Sequence, residues 1–201
     1  MQAGWLEINL KAIGNNLKEI KKIIGKNVKT MPVVKANAYG HGLVPVARKL
    51  EEVGADFLAV SYIEEGIKLR KAGIKMPIVI LLGVSEAEID PVFTYGLTPI
   101  IYEYKIASML SEIAQKNNTN IAVFIKIDTG MGRLGVFYKE APLFLKKVSA
   151  LPGLKIQGLT SHLAVAETDK TFTEKQINRF KTVLDEAQKA GINLPYNHIA
   201  N

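Results

Sequence analysis

"VVKANAYGHG", Val33 to Gly42, is the stretch on which the fold turns. An apolar pair that reads as the end of a buried strand runs into Lys35, and Tyr39, Gly40, His41 and Gly42 follow at once. Two α/β folds compete to explain it. A doubly wound dinucleotide fold places G-x-G-x-x-G at its first strand-helix turn, and this stretch does not match. A (β/α)8 barrel places polar residues at the C-terminal ends of many strands, because the loops there build the site.

Working outward, the barrel pattern recurs. Short apolar runs, "MPVVK", "DFLAVSYI", "MPIVILLG", "TPIIYEY", "NIAVFIKI", "LKIQGLTSHL" and "YNHIA", alternate with helix-period segments. Near-continuous apolar strands separated by helices imply a parallel sheet covered on both faces. Their ends carry Lys35 and Tyr39, Lys126 and Arg133, His162, and finally His198 and Asn201. The expectation is therefore an α/β, (β/α)8 TIM-type barrel. It is incomplete: about seven strands are present where closure takes eight, and 201 residues fall short of the roughly 250 such a barrel uses. The chain stops at "NHIAN" with no following helix, which would leave a strand edge and apolar interior open. Residues 1–201 are thus expected to be one partial domain, the N-terminal part of a longer protein, with no linker or repeat inside it.

Local signals fill in the rest. "WLEINL", Trp5 to Leu10, alternates and reads as a short strand. In "FTEKQINRFKTVLDEAQKAG", Thr173 and Gln176 suit a capping box, Ile177, Phe180, Leu184 and Ala187 form a stripe, and Gly191 fits the stop. In "AIGNNLKEIKKIIGK", Ile13, Leu17, Ile20 and Ile24 follow helical spacing, which puts Lys18, Lys21 and Lys22 on the wet face.

Composition narrows the function. The chain is 48% hydrophobic, with no apolar run near the ~20 residues that span a bilayer and no leader-like N-terminus. A soluble cytoplasmic protein without membrane association is expected. The absence of cysteine excludes disulfides, thiolate nucleophiles and Cys-based metal sites, and no metal is expected. The net charge of +7 is spread over helix faces without interleaved aromatics, so nucleic acid is not an expected partner.

The chemistry sits at the strand ends. Lys35, behind Pro32, Val33 and Val34, either loses charge in an apolar setting and becomes a nucleophilic amine or snorkels its head to solvent. Gly40 and Gly42 let backbone approach a ligand, and Tyr39 supplies a hydroxyl suited to phosphate. His41 is placed to fix that loop. In "FIKIDTGMGRLGV", Gly130, Gly132 and Gly135 flank Arg133, so a tightly turning loop presents a guanidinium able to clamp a carboxylate. Asp128 and Thr129 read as a turn and cap pair. Lys126 points opposite to Ile125 and Ile127, and on the barrel interior its charge would need a partner. His162 and His198, two histidines at the same rim, point to a network.

Together "VVKANAYGHG", "FIKIDTGMGRLG", "SHLAVAE" and "NHIAN", with the opening "WLEINLKAIGNNL", closely resemble the alanine racemase family of fold-type III pyridoxal-phosphate enzymes. The resemblance implies a (β/α)8 barrel that binds pyridoxal phosphate, followed by a C-terminal, mostly β domain that is absent here. It implies that Lys35 forms the internal aldimine and then acts as acid and base on one face of the substrate Cα. Tyr39 matches a phosphate ligand, and Arg133 the arginine near the substrate carboxylate and cofactor hydroxyl. Lys126 matches a lysine that is often carbamylated and positions that arginine. His162, His198 and Asn201 match the polar network around the cofactor, with Lys35, Arg133 and His162 the catalytic set.

The activity implied is interconversion of L- and D-alanine by two-base proton transfer in a homodimer, the second base being a tyrosine from the partner's C-terminal domain. The 201 residues alone are therefore expected to be inactive. A serine-preferring or broad-specificity racemase of the same class fits the same residues. A non-catalytic pyridoxal-phosphate barrel fits less well, because a carrier has no use for a carboxylate clamp.

Overall fold

The structure, a computed structural model, describes residues 4–201. The chain forms two compact units: the first runs to Leu81 and includes Thr94–Leu97, the second comprises Leu82–Phe93 and Thr98–Asn201.

The first unit contains α1 (Leu10–Ile24), a single turn α2 (Lys35–Tyr39), α3 (Leu43–Glu52), β1 (Leu58–Val60), α4 (Ile63–Lys71) and β2 (Ile78–Ile80). β1 and β2 are parallel, Ala59 opposite Val79, and every residue of both is buried, as their unbroken apolar runs require. "MPVVK" contributes only one bridge, Val33 beside Ala59. The strand cannot lengthen, because Pro32 has no N–H to donate and the backbone turns left-handed from Ala36. Asn9 caps α1 by accepting from the Ala12 amide, and Gly14 lets α1 approach α3, since a Cβ there would lie 3.1 Å from Lys49 Cδ. Arg70 binds four carbonyl oxygens, those of Ile74, Met76, Tyr95 and Gly96, and so fastens the chain around the end of α4.

Two expectations fail in this unit. "WLEINL" is not a strand: residues 4–9 carry no regular structure, Trp5 and Leu6 are 88% and 76% exposed, and α1 already begins at Leu10. Alternation alone does not make a strand, which also needs an edge to pair with. On α1, Leu17 and Gly14 face inward while Ile20 is exposed, and Lys21 folds back on the Gly54 carbonyl instead of standing in solvent.

The second unit contains a 3-10 turn (Glu86–Glu88), α5 (Ile89–Thr94), β3 (Thr98–Ile101), α6 (Tyr104–Lys116), β4 (Ile121–Asp128), β5 (Val136–Phe137), α7 (Ala141–Ser149), β6 (Leu154–His162), α8 (Lys170–Lys189) and β7 (His198–Ala200). β4 pairs in parallel with β3, β5 and β6, and β6 with β7. The two-residue β5 has no period long enough to read in the sequence. A bulge between Val123 and Phe124 shifts the β4–β6 register, so that Lys126, Thr160 and His198 end up side by side on three adjacent strands. α8 begins four residues earlier than a capping box at Thr173 would place it: Asp169 is the cap, accepting from the Phe172 amide at 2.8 Å. Gly191 ends the helix in a left-handed conformation as expected, with the Ile192 amide returning to the Ala187 carbonyl.

Candidate functional site

In the first unit the Val33–Gly42 stretch has a conformation its residue types do not announce. Ala36, Asn37, Ala38 and Tyr39 all have φ between 51° and 57°, a left-handed turn made without glycine. Each such residue costs about 1–2 kcal/mol, so the surroundings must hold it. They do so through three groups. The Glu65 carboxylate accepts the Ala36 amide at 2.6 Å with one oxygen and the Ser61 and Tyr62 amides with the other. Asn37 accepts the Leu43 amide at its side-chain oxygen and the Gly42 amide at its carbonyl. His41 donates from Nδ1 to the Ala38 carbonyl at 2.8 Å, which is the loop-fixing role its position suggested. Lys35, at the head of this turn, is half-buried, between the two readings of the sequence; Tyr39 is exposed.

In the second unit β4 delivers Lys126, 8% exposed, beside Thr160 and His198. Phe124, two residues back and hence on the same face of β4, meets the His198 ring edge-on at 6.1 Å. Thr160 Oγ1 lies 3.5 Å from His198 Nδ1, while the other ring nitrogen, Nε2, is buried with no partner among the described residues. Burial, and then the charge of Lys126, lower the His198 pKa to about 4, so its imidazole is neutral at physiological pH. An unfolded histidine takes up its proton near pH 6.5 and the folded one only near 4, so the unfolded state binds more protons in between. This group's contribution to stability is complete above pH 6.5 and falls as the pH drops toward 4. Urea unfolding of wild type and His198→Asn across that range should show a slope in the first that is missing in the second.

The glycine loop after β4 is built on Asp128. Its carboxylate accepts the Gly130, Met131 and Gly132 amides, all within 3.1 Å, which makes it a turn residue, as its type predicts. Gly135 is obligatory for a different reason: a Cβ there would lie 2.7 Å from the Asp128 nitrogen. Arg133 stands exposed at the crest of this loop, and His162, half-buried, ends β6. Asn201 is exposed just past β7.

Beneath the loop is a buried polar group that sequence reasoning missed. Gln176, fully buried on α8, donates to Thr129 Oγ1 at 3.1 Å and to the His162 carbonyl at 3.0 Å, and accepts the Ala164 amide at 2.9 Å. Thr129 and Ser161 hydroxyls are 2.8 Å apart, and Ser161 bonds the Ile127 carbonyl. A serine hydroxyl has one proton, which goes to that carbonyl, so Thr129 donates to Ser161 and the chain runs one way from Gln176 to Ile127. Arg179 Nη1 adds a bond to the Thr129 carbonyl at 2.7 Å and lies over the Tyr138 ring. The available signal was Gln176's spacing from Phe180, Val183 and Ala187, the buried residues of α8: a polar side chain on the apolar face needs partners.

Among the described residues no helix is long and apolar enough to cross a membrane, and no group of His, Asp and Glu is arranged to hold a metal ion.

Comparison with known proteins gives a consistent result. Residues 8–201 match the family described as alanine racemase, N-terminal domain. An alanine racemase of Halothermothrix orenii is 46% identical over 198 residues, covering 98% of this chain and 52% of its own. One from Desulforamulus reducens is 43% identical, covering 98% and 54%. The chain therefore spans about half the length of the curated relatives it matches. Among solved structures, the alanine racemase of Clostridium difficile 630 in complex with cycloserine superposes with TM-score 0.92 at 35% identity over 97% of this chain and 54% of its own. That of Bacillus anthracis with bound L-Ala-P gives 0.86 at 34%, over 98% and 51%. The expected fold class, parallel α/β of the (β/α)8 type, holds in this match.

Proposed function

The chain belongs to the alanine racemase N-terminal domain family, and from that premise we propose that the intact protein interconverts L- and D-alanine with pyridoxal phosphate, held by Lys35. The observation that carries this reading is the half-buried Lys35 at the head of a turn pinned by Glu65, with the Tyr39 phenol four residues on.

The residues fit such a cofactor. An aldehyde requires an amine that is held in place, and Lys35 offers one on a rigid turn. A phosphate requires hydroxyl and N–H donors, and the exposed Tyr39 phenol can supply one; Asn201 is assigned, on family grounds, to the polar network around the cofactor. His198, whose Nε2 is buried with no partner among the described residues, is assigned to the cofactor's polar surround on family grounds. When bound, the cofactor withdraws electron density from the substrate Cα and makes its proton acidic.

The chain's own residues do the remainder. Racemisation removes a proton on one face of Cα and returns it on the other, so two bases are needed. The Lys35 amine is assigned one face. The other is assigned, on family grounds, to a tyrosine of the partner subunit in a homodimer. Arg133 holds the substrate carboxylate in its guanidinium fork, on a loop whose path Asp128 fixes. His162 and His198 complete the polar surround. Lys126 is assigned a carbamate, which replaces a buried positive charge by a negative one able to orient Arg133. A cytoplasmic location accords with this chemistry.

The test is reduction of the pyridoxal-phosphate-loaded protein with borohydride, followed by peptide mass spectrometry. One label per chain on Lys35 is expected. A label on Lys126 would transfer the cofactor to the second unit and overturn the assignment, as would label scattered over surface lysines.

A further inference from the structure

We propose that Gln176 is a positioning residue for this chemistry, holding the Arg133 loop and the His162 strand end in one fixed relation; the inference rests on the function proposed above. Each Gln176 hydrogen bond restrains a defined point of the chain. Thr129 is the last residue before the glycine loop, and its hydroxyl is held by Gln176 while its carbonyl is held by Arg179. His162 ends β6, and Gln176 binds the carbonyl of His162 and the amide of Ala164, on either side of the point where the chain leaves the strand. One carboxamide therefore uses both donors and its acceptor to tie the root of one loop to the root of the next.

β4–β6 pairing stops at Lys126 and Thr160, and the Thr129–Ser161 hydroxyl bond adds one more link; Gln176 carries the connection past the end of β6 to the Ala164 amide. The Asp128 carboxylate shapes the glycine loop from within, its bonds among the described residues going to the loop amides of Gly130, Met131 and Gly132. The space is also fully committed: a Cβ at Gly130 would lie 2.8 Å from Arg179 Nη1 and 3.0 Å from Phe172 Cζ. A buried polar side chain with every hydrogen-bonding group satisfied has one low-energy arrangement, because any shift leaves a desolvated group unmade. Gln176 thereby makes the position of Arg133's loop depend on where β6 ends. Positioning of this kind acts on binding of the substrate carboxylate, since that is the group Arg133 meets.

Two readouts on the intact protein test this: hydrogen exchange of the segments 129–135 and 162–165, and the separate KM and kcat for alanine. A lost hydrogen bond of ordinary net strength is worth about a tenfold change. In Gln176→Leu, exchange should rise by about that factor in both segments together while residues 121–127 of β4 stay protected, and KM should rise about tenfold with kcat nearly unchanged. Faster exchange in only one segment, or throughout α8 and β4 with an unaltered KM, would make Gln176 a packing residue and overturn the inference. Should Gln176→Leu not fold, Thr129→Val and Thr129→Ser replace it. The first breaks the chain and should loosen both segments, the second keeps the hydroxyl and should match wild type; equal behaviour of the two overturns the coupling. If the wild-type protein proves not to racemise alanine, the assigned function fails on its own, and the exchange data still decide whether Gln176 couples the two loops.

Discussion

Gly158→Ala is expected to yield no stably folded protein. Gly158 lies on β6 opposite Phe124, just past the bulge, where the Tyr196 backbone crosses so closely that a Cβ would sit 1.4 Å from its carbonyl oxygen. The obstacle is backbone, and that backbone cannot drift: the Tyr196 amide bonds the Gln157 carbonyl at 2.9 Å, and the Leu159 amide bonds Asn197 Oδ1 at 2.8 Å. Relief requires moving the segment that leads into β7, which would unpair Thr160 from His198. The cost exceeds ~4 kcal/mol, the range reserved for overpacking that nothing can absorb, and is of the order of a domain's whole stability. Expression as inclusion bodies, or a melting temperature lowered by more than about 10 °C, is the expected result. Gly96→Ala is the control. Gly96 has φ 55° but open space around it, so alanine there incurs only backbone strain of about 1 kcal/mol. A Gly158→Ala protein that melted alongside this control would refute the packing described for β6.

Lys35→Ala should lower the proposed racemase activity of the intact protein by at least about 10³-fold. Two separate losses combine. The amine proposed to anchor the cofactor is gone, and so is the proposed base on one face of Cα, which by itself contributes about 10²–10⁴-fold. Lys35→Arg should fare little better, because a guanidinium keeps the charge but neither bonds an aldehyde nor gives up a proton near neutral pH. The turn that carries the residue is bonded through its backbone to Glu65, Asn37 and Val34, so far-ultraviolet circular dichroism should be unaltered in both variants. Conversion of L- to D-alanine is the assay. Activity within tenfold of wild type in Lys35→Ala would remove Lys35 from the mechanism and direct attention to Lys126.

What was legible in the sequence follows physical lines. Six of the seven apolar runs became strands because a fully buried parallel strand needs little more than unbroken β-branched and aromatic residues. "MPVVK" shrank to one bridge through a proline and an unforeseen turn, and "WLEINL" met no partner strand among the described residues. The stations of Lys35, Arg133 and His162 at a strand end or in the loop after one were readable, since the chain alternates at lengths that leave little choice; Lys126 instead lies two residues inside β4, and His198 opens β7, where the sequence reading had it end the strand. Their supports were not. Glu65 reaches the Lys35 turn from 29 residues away, and Gln176 reaches Thr129 from 47. No local period encodes such contacts. Gln176 also satisfied a plausible local pattern, the capping box, which concealed its position on the buried face. The left-handed run Ala36–Tyr39 had no signal at all, because alanine is not a residue that favours that hand.

The hydrogen-bonded series from Gln176 through Thr129 and Ser161 to the Ile127 carbonyl resembles a proton wire in outline and cannot be one. It starts at a carboxamide N–H and ends at a peptide oxygen, neither of which ionises near neutral pH, and both hydroxyls between them already point one way. For a proton to pass, a peptide carbonyl would have to become a cation or an amide nitrogen an anion. The series beneath the Arg133 loop therefore fixes its neighbours in place and passes no proton along its own length.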